Sequence, residues 1–301
     1  MKKVLVITGP TATGKSNLAI EYAKKFNGEI ISCDSVQIYK QLNKGSAKIS
    51  ELEMDNIPHH LINVVNADKN FSVRDFQLMA QKLIDEIIAR GKLPILTGGT
   101  GLYIKALIYD YHFPYEENSE NEDYSLLDTD TLWKQLQEVD PLSAAAIHPN
   151  NRKRLIRALE IYRTSGQTKT QIIKDQNRMP IYDAFTICCE LARPVLHQRI
   201  NQRVIHMVNQ GLVQEIAELL TFVRWDNQSM QAIGYKEWKE YFENKISLEE
   251  VIQLIQTHTR QFAKRQFTWF KHQLPCKWVM MDSENELLKI EEEVKLWLKN
   301  P

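Results

Sequence analysis

No apolar run in this chain of 301 residues approaches the roughly 20 residues that a membrane-spanning helix needs. Cysteine is scarce, at Cys33, Cys188, Cys189 and Cys276. None forms a C-x-x-C pair, and a bridge between adjacent Cys188 and Cys189 would be strained. Both facts argue against a disulfide scaffold or a structural zinc site, and the expected compartment is a reducing cytoplasm. No secretory leader is expected: Met1-Lys2-Lys3 is followed only by the short run Val4 to Thr8 before Gly9-Pro10. Net charge is also lacking, with 38 basic and 38 acidic residues. That neutrality is not local. Between Glu116 and Asp140 the only base is Lys134, whereas bases dominate from Arg152 to Arg203. Thr257 to Lys277 carries Arg260, Lys264, Arg265, Lys271 and Lys277 without an acid. Such segments can offer a basic surface to a polyanion, but charge alone favours solvated helix faces.

What is present first is alternation. Val4 to Thr8 reads as a buried strand, followed by Leu18, Ala19, Tyr22, Ala23 and Phe26 at helical spacing, with Gly28 closing the helix. Glu29 to Cys33 is a second strand. Phe76, Met79, Ala80, Leu83, Ile87 and Ile88 form a helical stripe ending at Gly91, and Pro94 to Thr97 is a third strand stopped by Gly98-Gly99. This order predicts a parallel sheet covered on both faces. From Glu116 to Met179 only helical patterns occur, such as Leu155, Leu159 and Tyr162, with Glu116 to Asp130 as a flexible acidic entrance. Thr186 to Cys189 and Lys277 to Met281 return to the sheet. His197, Ile200, Val204, Met207 and Val208 mark a core-facing helix.

Gly9-Pro10-Thr11-Ala12-Thr13-Gly14-Lys15-Ser16 fits G-x-x-x-x-G-K-[ST], after a strand and opening a helix. Its glycines let backbone N–H groups curl around phosphate oxygens, Lys15 brings a positive charge, and Ser16 can hold Mg²⁺. The predicted fold is α/β: a P-loop NTPase-like parallel sheet flanked by helices, with an all-helical insertion. The predicted domains are a core of 1–115 with 182–301 and an insertion of 116–181. P-loop hydrolases carry an acid at the end of a second buried strand. The third strand here ends Thr97-Gly98-Gly99-Thr100 without one, and the second ends Cys33-Asp34-Ser35. Asp34 is open to either role, metal ligand or substrate contact. The missing hydrolytic acid favours group transfer over an ATP-driven motor.

Asp34 to Lys40, Gly45 to Lys48, Pro58 to Ile62 and Gly98 to Tyr103 together resemble the tRNA dimethylallyltransferase family, bacterial type. The likeness continues through Arg154 to Glu160, Met230 to Lys236 and Ala263 to Phe270. It implies transfer of a dimethylallyl group from dimethylallyl diphosphate to N6 of adenosine 37 in tRNA. By resemblance, Asp34 is the general base, Thr100 bonds the reacting region, and Gly9 to Ser16, with Lys15 foremost, hold the departing diphosphate with Mg²⁺. The stretches matching tRNA contacts contain Asp34, Ser35, Val36, Gln37, Thr100, Lys153, Arg154, Arg157, Gln231, Gly234, Tyr235, Lys236, Lys264, Arg265, Trp269 and Lys271. The implied partner is the anticodon stem-loop, gripped by the insertion; a monomer without membrane contact is expected. Rivals are an adenylate isopentenyltransferase, a small-molecule kinase and a non-catalytic RNA-binding protein.

Three positions depart from the family pattern: Asn63 where aspartate is usual, no arginine in Glu116 to Leu127, and Gln231 where some members have arginine. The sequence carries no zinc-finger motif of the kind eukaryotic relatives append, so the bacterial type is expected. His59-His60 lacks the i, i+4 spacing of a helical metal site and reads as structural. Cys33 reads as a small strand residue rather than a nucleophile.

Overall fold

Val4, Leu5, Val6 and Ile7 are wholly buried, because they form the interior of β1 (Lys3–Thr8) in a sheet covered on both faces. The structure is a computed structural model that describes residues 1–113, 124–176 and 179–300. After β1 come α1 (Lys15–Lys25), β2 (Gly28–Ser32), α2 (Glu51–Met54), β3 (His59–His60), α3 (Val73–Ala89), β4 (Leu93–Gly98) and α4 (Gly101–Ile108). Next in the chain are α5 (Thr129–Val139), α6 (Pro141–Ala146), α7 (Arg152–Ser165) and α8 (Lys169–Asp175). Then follow β5 (Asp183–Glu190), α9 (Arg193–Asn209), α10 (Leu212–Leu219), α11 (Trp238–Phe242), α12 (Leu248–Gln273), β6 (Lys277–Met280) and α13 (Glu284–Lys299).

The six strands make one parallel sheet in the order β3-β2-β4-β1-β5-β6. Leu18 and Tyr22 of α1 and Ile290 and Val294 of α13 pack with Leu5, Ile7, Ile30, Ile95 and Ile187 of the strands. Each such side chain contributes about 1.5–3 kcal/mol by leaving water. Among the described residues no helix is long and apolar enough to cross a membrane.

The chain divides into two units, Met1–Ile108 with Pro180–Pro301, and Tyr109–Met179. Among its described residues the second has helices and no strand. Leu132 and Leu136 of α5, Ala144 of α6 and Leu155, Ala158 and Leu159 of α7 form its core. Asp140 caps α6 by accepting from the Ser143 N–H at 3.1 Å and also accepts from the Thr170 hydroxyl at 2.6 Å, which ties α8 to α6. Part of the expected acidic entrance, Glu116, Glu117, Glu120, Glu122 and Asp123, lies outside the described residues, as does Arg178 of the basic stretch. Asp128, within them, caps α5.

Several local expectations are corrected. Gly28 does not close α1: the helix ends at Lys25 with Phe26 as its C-cap, Asn27 turns the chain at φ 51°, and Gly28 already pairs with Leu93. In α3 Ile84 is buried and Met79 is exposed. Tyr162 of α7 is exposed. His59-His60 forms a two-residue edge strand, too short to leave a periodic signal. There His60 pairs with Glu29 at 2.7 Å and His59 Nδ1 bonds the Ile57 carbonyl at 2.8 Å.

Candidate active site

Ligands of open parallel sheets bind beyond the carboxyl ends of the strands. Here β1, β4 and β2 are neighbours, and they end in the phosphate loop, in Gly98-Gly99-Thr100 and in Cys33-Asp34 respectively. The Thr8 hydroxyl donates to the Gly98 carbonyl at 2.8 Å, and the Cys33 N–H donates to the Thr97 carbonyl at 2.7 Å. The three loop starts are thereby fixed together.

The phosphate loop turns through left-handed backbone at Ala12 (φ 64°) and Gly14 (φ 95°). The buried Thr13 hydroxyl donates to the Pro10 carbonyl at 2.9 Å, as does Lys15 Nζ at 3.1 Å. Gly14 is the N-cap of α1 and offers no side chain to its first N–H groups. Those donors and the helix dipole favour an anion. Two residues from distant helices brace this loop. Gln266 of α12 accepts from the Thr11 N–H through Oε1 at 2.9 Å and donates to the Gly99 carbonyl through Nε2 at 2.9 Å. Arg203 of α9 donates through Nη1 to the Thr11 hydroxyl at 3.3 Å and through Nη2 to the Ser46 carbonyl at 3.1 Å. Sequence reasoning assigned neither. Gln266 sits inside the stretch Ala263 to Phe270, and Arg203 ends a basic run, so only their three-dimensional partners distinguish them.

Burial and the neighbouring Arg203 guanidinium lower the pKa of Lys15 from 10.5 to about 8, with Asp34 opposing. Burial also lowers that of Arg203, again against Asp34. Two enclosed cations facing one carboxylate make a site that gains from a further anion.

Asp34 Oδ1 accepts from the N–H groups of Val36 at 2.8 Å and Gln37 at 3.2 Å. Oδ2 carries no protein hydrogen bond among the described residues. Thr100 supports this turn, its hydroxyl accepting from the Ser35 N–H at 3.1 Å and donating to the Ser35 hydroxyl at 3.3 Å. Burial, reinforced by Asp34, raises the Cys33 thiol pKa, which suits a core residue and not a nucleophile.

A cavity of about 480 Å³ is lined by Thr11, Ala12, Asp34, Ser35, Val36 and Arg203, with apolar walls from Ile200, Val204, Met207, Ile255 and Phe262. Gln231, Gly234, Lys236 and Arg265 also line it. Gln37 turns aside to the Ser46 and Ala47 carbonyls. Lys264 and Lys271 are exposed on α12. Lys153, Arg154 and Arg157 belong to α7 in the second unit. Tyr235 is fully buried, with its hydroxyl on Glu215 at 2.8 Å, and its side chain does not line the cavity. Phe270 is core, and Trp269 is partly buried, edge-on to Phe270 and pressed against Gly101. Asn63 accepts from Lys48 Nζ at 2.6 Å, and Gln231 donates to the Trp225 carbonyl at 2.6 Å.

Among the described residues no three His, Cys, Asp or Glu side chains cluster as a metal site. Ser16, exposed in the first turn of α1, is a hard-oxygen donor. That suits Mg²⁺, which takes few protein ligands and completes its shell with water and phosphate oxygens.

The fold and site are those of a phosphate-loop α/β protein with a carboxylate beside an enclosed cation pair. The family model described as IPP transferase matches residues 37–273. The tRNA dimethylallyltransferase of Anoxybacillus flavithermus is 47% identical over 285 residues, 94% of this chain and 92% of its own. The crystal structure of the full-length tRNA isopentenylpyrophosphate transferase of Bacillus halodurans is similar at TM-score 0.75 and 40% identity, covering 99% of this chain and 97% of that one. A eukaryotic dimethylallyltransferase acting on tRNA is similar at TM-score 0.84 and 30% identity, covering 98% of this chain and 78% of that one. This chain belongs to the IPP transferase family.

Proposed function

We propose that this protein transfers the dimethylallyl group of dimethylallyl diphosphate to N6 of adenosine 37 in tRNA and releases diphosphate. The observation that carries the chemistry is the convergence of Arg203 and Asp34 at one cavity with apolar walls, beside the phosphate loop whose Lys15 feels the charge of both. The relatives named tRNA dimethylallyltransferase support this reading over a free-adenylate transferase or a kinase.

The phosphate-loop amides, Lys15 and Arg203 bind the diphosphate, and the apolar wall receives the five-carbon chain. As the allylic C–O bond breaks, its electron pair goes to the diphosphate oxygen, where the preorganised cations stabilise it. The adenine N6 lone pair forms the new C–N bond. The N6 proton passes to Asp34 Oδ2, whose partner oxygen is held by two amides, a fixed geometry for general-base work. Mg²⁺ on Ser16, when bound, supplies further charge neutralisation at the diphosphate. No phosphoryl group moves, so ATP is not consumed.

The tRNA is met by its anticodon stem-loop. Lys153, Arg154 and Arg157 of α7, and Lys236, Lys264, Arg265 and Lys271, serve phosphates; Gln231, Gly234 and Trp269 lie nearer the extruded base. The protein works as a monomer in the cytoplasm. The test supplies labelled dimethylallyl diphosphate with bulk tRNA, AMP or ATP. Label in tRNA alone, without added ATP, is expected. Label in AMP or ATP, or a strict ATP requirement, overturns the assignment.

A further inference from the structure

One buried carboxylate of the sheet-bearing unit has no part in the reaction described so far. Glu215 of α10 is 9% exposed, yet its oxygens accept four hydrogen bonds. Oε2 takes the N–H groups of Asn43 at 3.1 Å and Lys44 at 2.7 Å. Oε1 takes the N–H of Gly45 at 3.2 Å and the Tyr235 hydroxyl at 2.8 Å. Three successive amides converging on one carboxylate is how a loop binds a free anion, and here the chain supplies the anion itself. The loop has no slack, because a Cβ at Gly45 would lie 2.6 Å from the Tyr235 ring. The next residue, Ser46, is the one whose carbonyl receives Arg203 Nη2, while Arg203 Nη1 reaches the phosphate loop at Thr11.

We infer that Glu215 is a positioning residue for the diphosphate end of the cavity: it folds residues 43–45, which aims the Ser46 carbonyl, which fixes the Arg203 guanidinium at the phosphate loop. This rests on the reading of that cavity as the diphosphate site. It also explains why Gly45 to Lys48 and Met230 to Lys236, far apart in sequence, form one wall. Glu215, which lies in neither block, is their joint.

Glu215→Gln keeps the volume but turns a donor toward the backbone N–H groups. Titration of inorganic diphosphate with Mg²⁺, followed by calorimetry, should show binding about tenfold weaker than in the unmodified protein. In an Arg203→Ala background the same change should have no further effect, since a residue acting through Arg203 has nothing left to position. The KM for tRNA should stay unchanged while that for dimethylallyl diphosphate rises. Tyr235→Phe, which removes one of the four bonds and keeps the ring, should give a smaller loss with the same dependence on Arg203. It decides the question if Glu215→Gln does not fold. An equal loss in both backgrounds, or no loss in the first, overturns the inference alone. Failure of the unmodified protein to bind diphosphate overturns the site reading and the inference with it.

Discussion

Lys15 and Lys48 are two enclosed lysines of the same unit, and burial, the leading cause at each, lowers the pKa of each to about 8. Their surroundings differ. Lys48 Nζ donates to the carbonyls of Tyr39 and Lys40 and to the side-chain oxygens of Asn43 and Asn63. Glu215 and Asp34 further support its charge. Lys15 has one carbonyl, that of Pro10, and a second cation, Arg203, that lowers its pKa further. Lys48 is a structural ammonium that ties a loop together. Lys15 is a charge that the fold leaves in want of an anion. A perturbed lysine marks a binding site when its hydrogen bonds are few and its neighbours repel it.

Asp34 opposes the lowered pKa at both lysines, so its removal is the strongest way to break the comparison. Asp34→Asn should cut turnover by about 10²–10⁴-fold, with near-normal affinity for both substrates and no rescue at high Mg²⁺. Recovery at high Mg²⁺ makes Asp34 a metal ligand. Next in size, Lys15→Ala should slow transfer about 10²–10³-fold without loss of thermal stability. Lys48→Met should do the opposite. It leaves polar oxygens unsatisfied and should cost about 2 kcal/mol in urea unfolding, with transfer slowed far less than by Lys15→Ala. Equal effects of both changes on stability and rate would erase the distinction.

The pH dependence sharpens it. Both folded-state pKa values lie below the ordinary 10.5. Between about pH 8 and 10.5 the unfolded chain therefore binds more protons, and these two groups make stability rise with pH in that window. Saturating diphosphate holds the proton on Lys15 and should cancel its share, leaving the share of Lys48. Unfolding curves across the window, with and without diphosphate, check this. The smallest effect belongs to exposed cations. Lys264→Ala should weaken tRNA binding modestly and reduce the salt slope by roughly one counterion. Binding insensitive to salt would make the basic segment a solvated face.

The phosphate loop and its strand were legible because both are local: an apolar run, then glycines at fixed offsets. Asp34 and the Gly98-Gly99-Thr100 turn were legible as blocks of a family likeness, and the sheet brings them to adjacent strand ends. Arg203 and Gln266 were not assigned, because their meaning lies in bonds to Thr11 across 192 and 255 residues. Tyr235 shows the converse. It lies in the stretch Met230 to Lys236 that carries the family likeness, but its side chain fills the space over Gly45 and bonds Glu215. The two-residue strand β3 and the true start of β2 at Gly28 exist through pairing with neighbours, which no local pattern records.

On the proposed function, Lys15 and Arg203 are a cation pair that receives a diphosphate. Calorimetric titration of diphosphate at pH 8, in buffers of different ionisation enthalpy, tests it directly. Bound diphosphate should raise the pKa of Lys15, so binding to the unmodified protein should take up more protons, net of any the diphosphate itself releases, than binding to Lys15→Ala. The same net proton exchange in both proteins would contradict the assignment of Lys15 to the diphosphate.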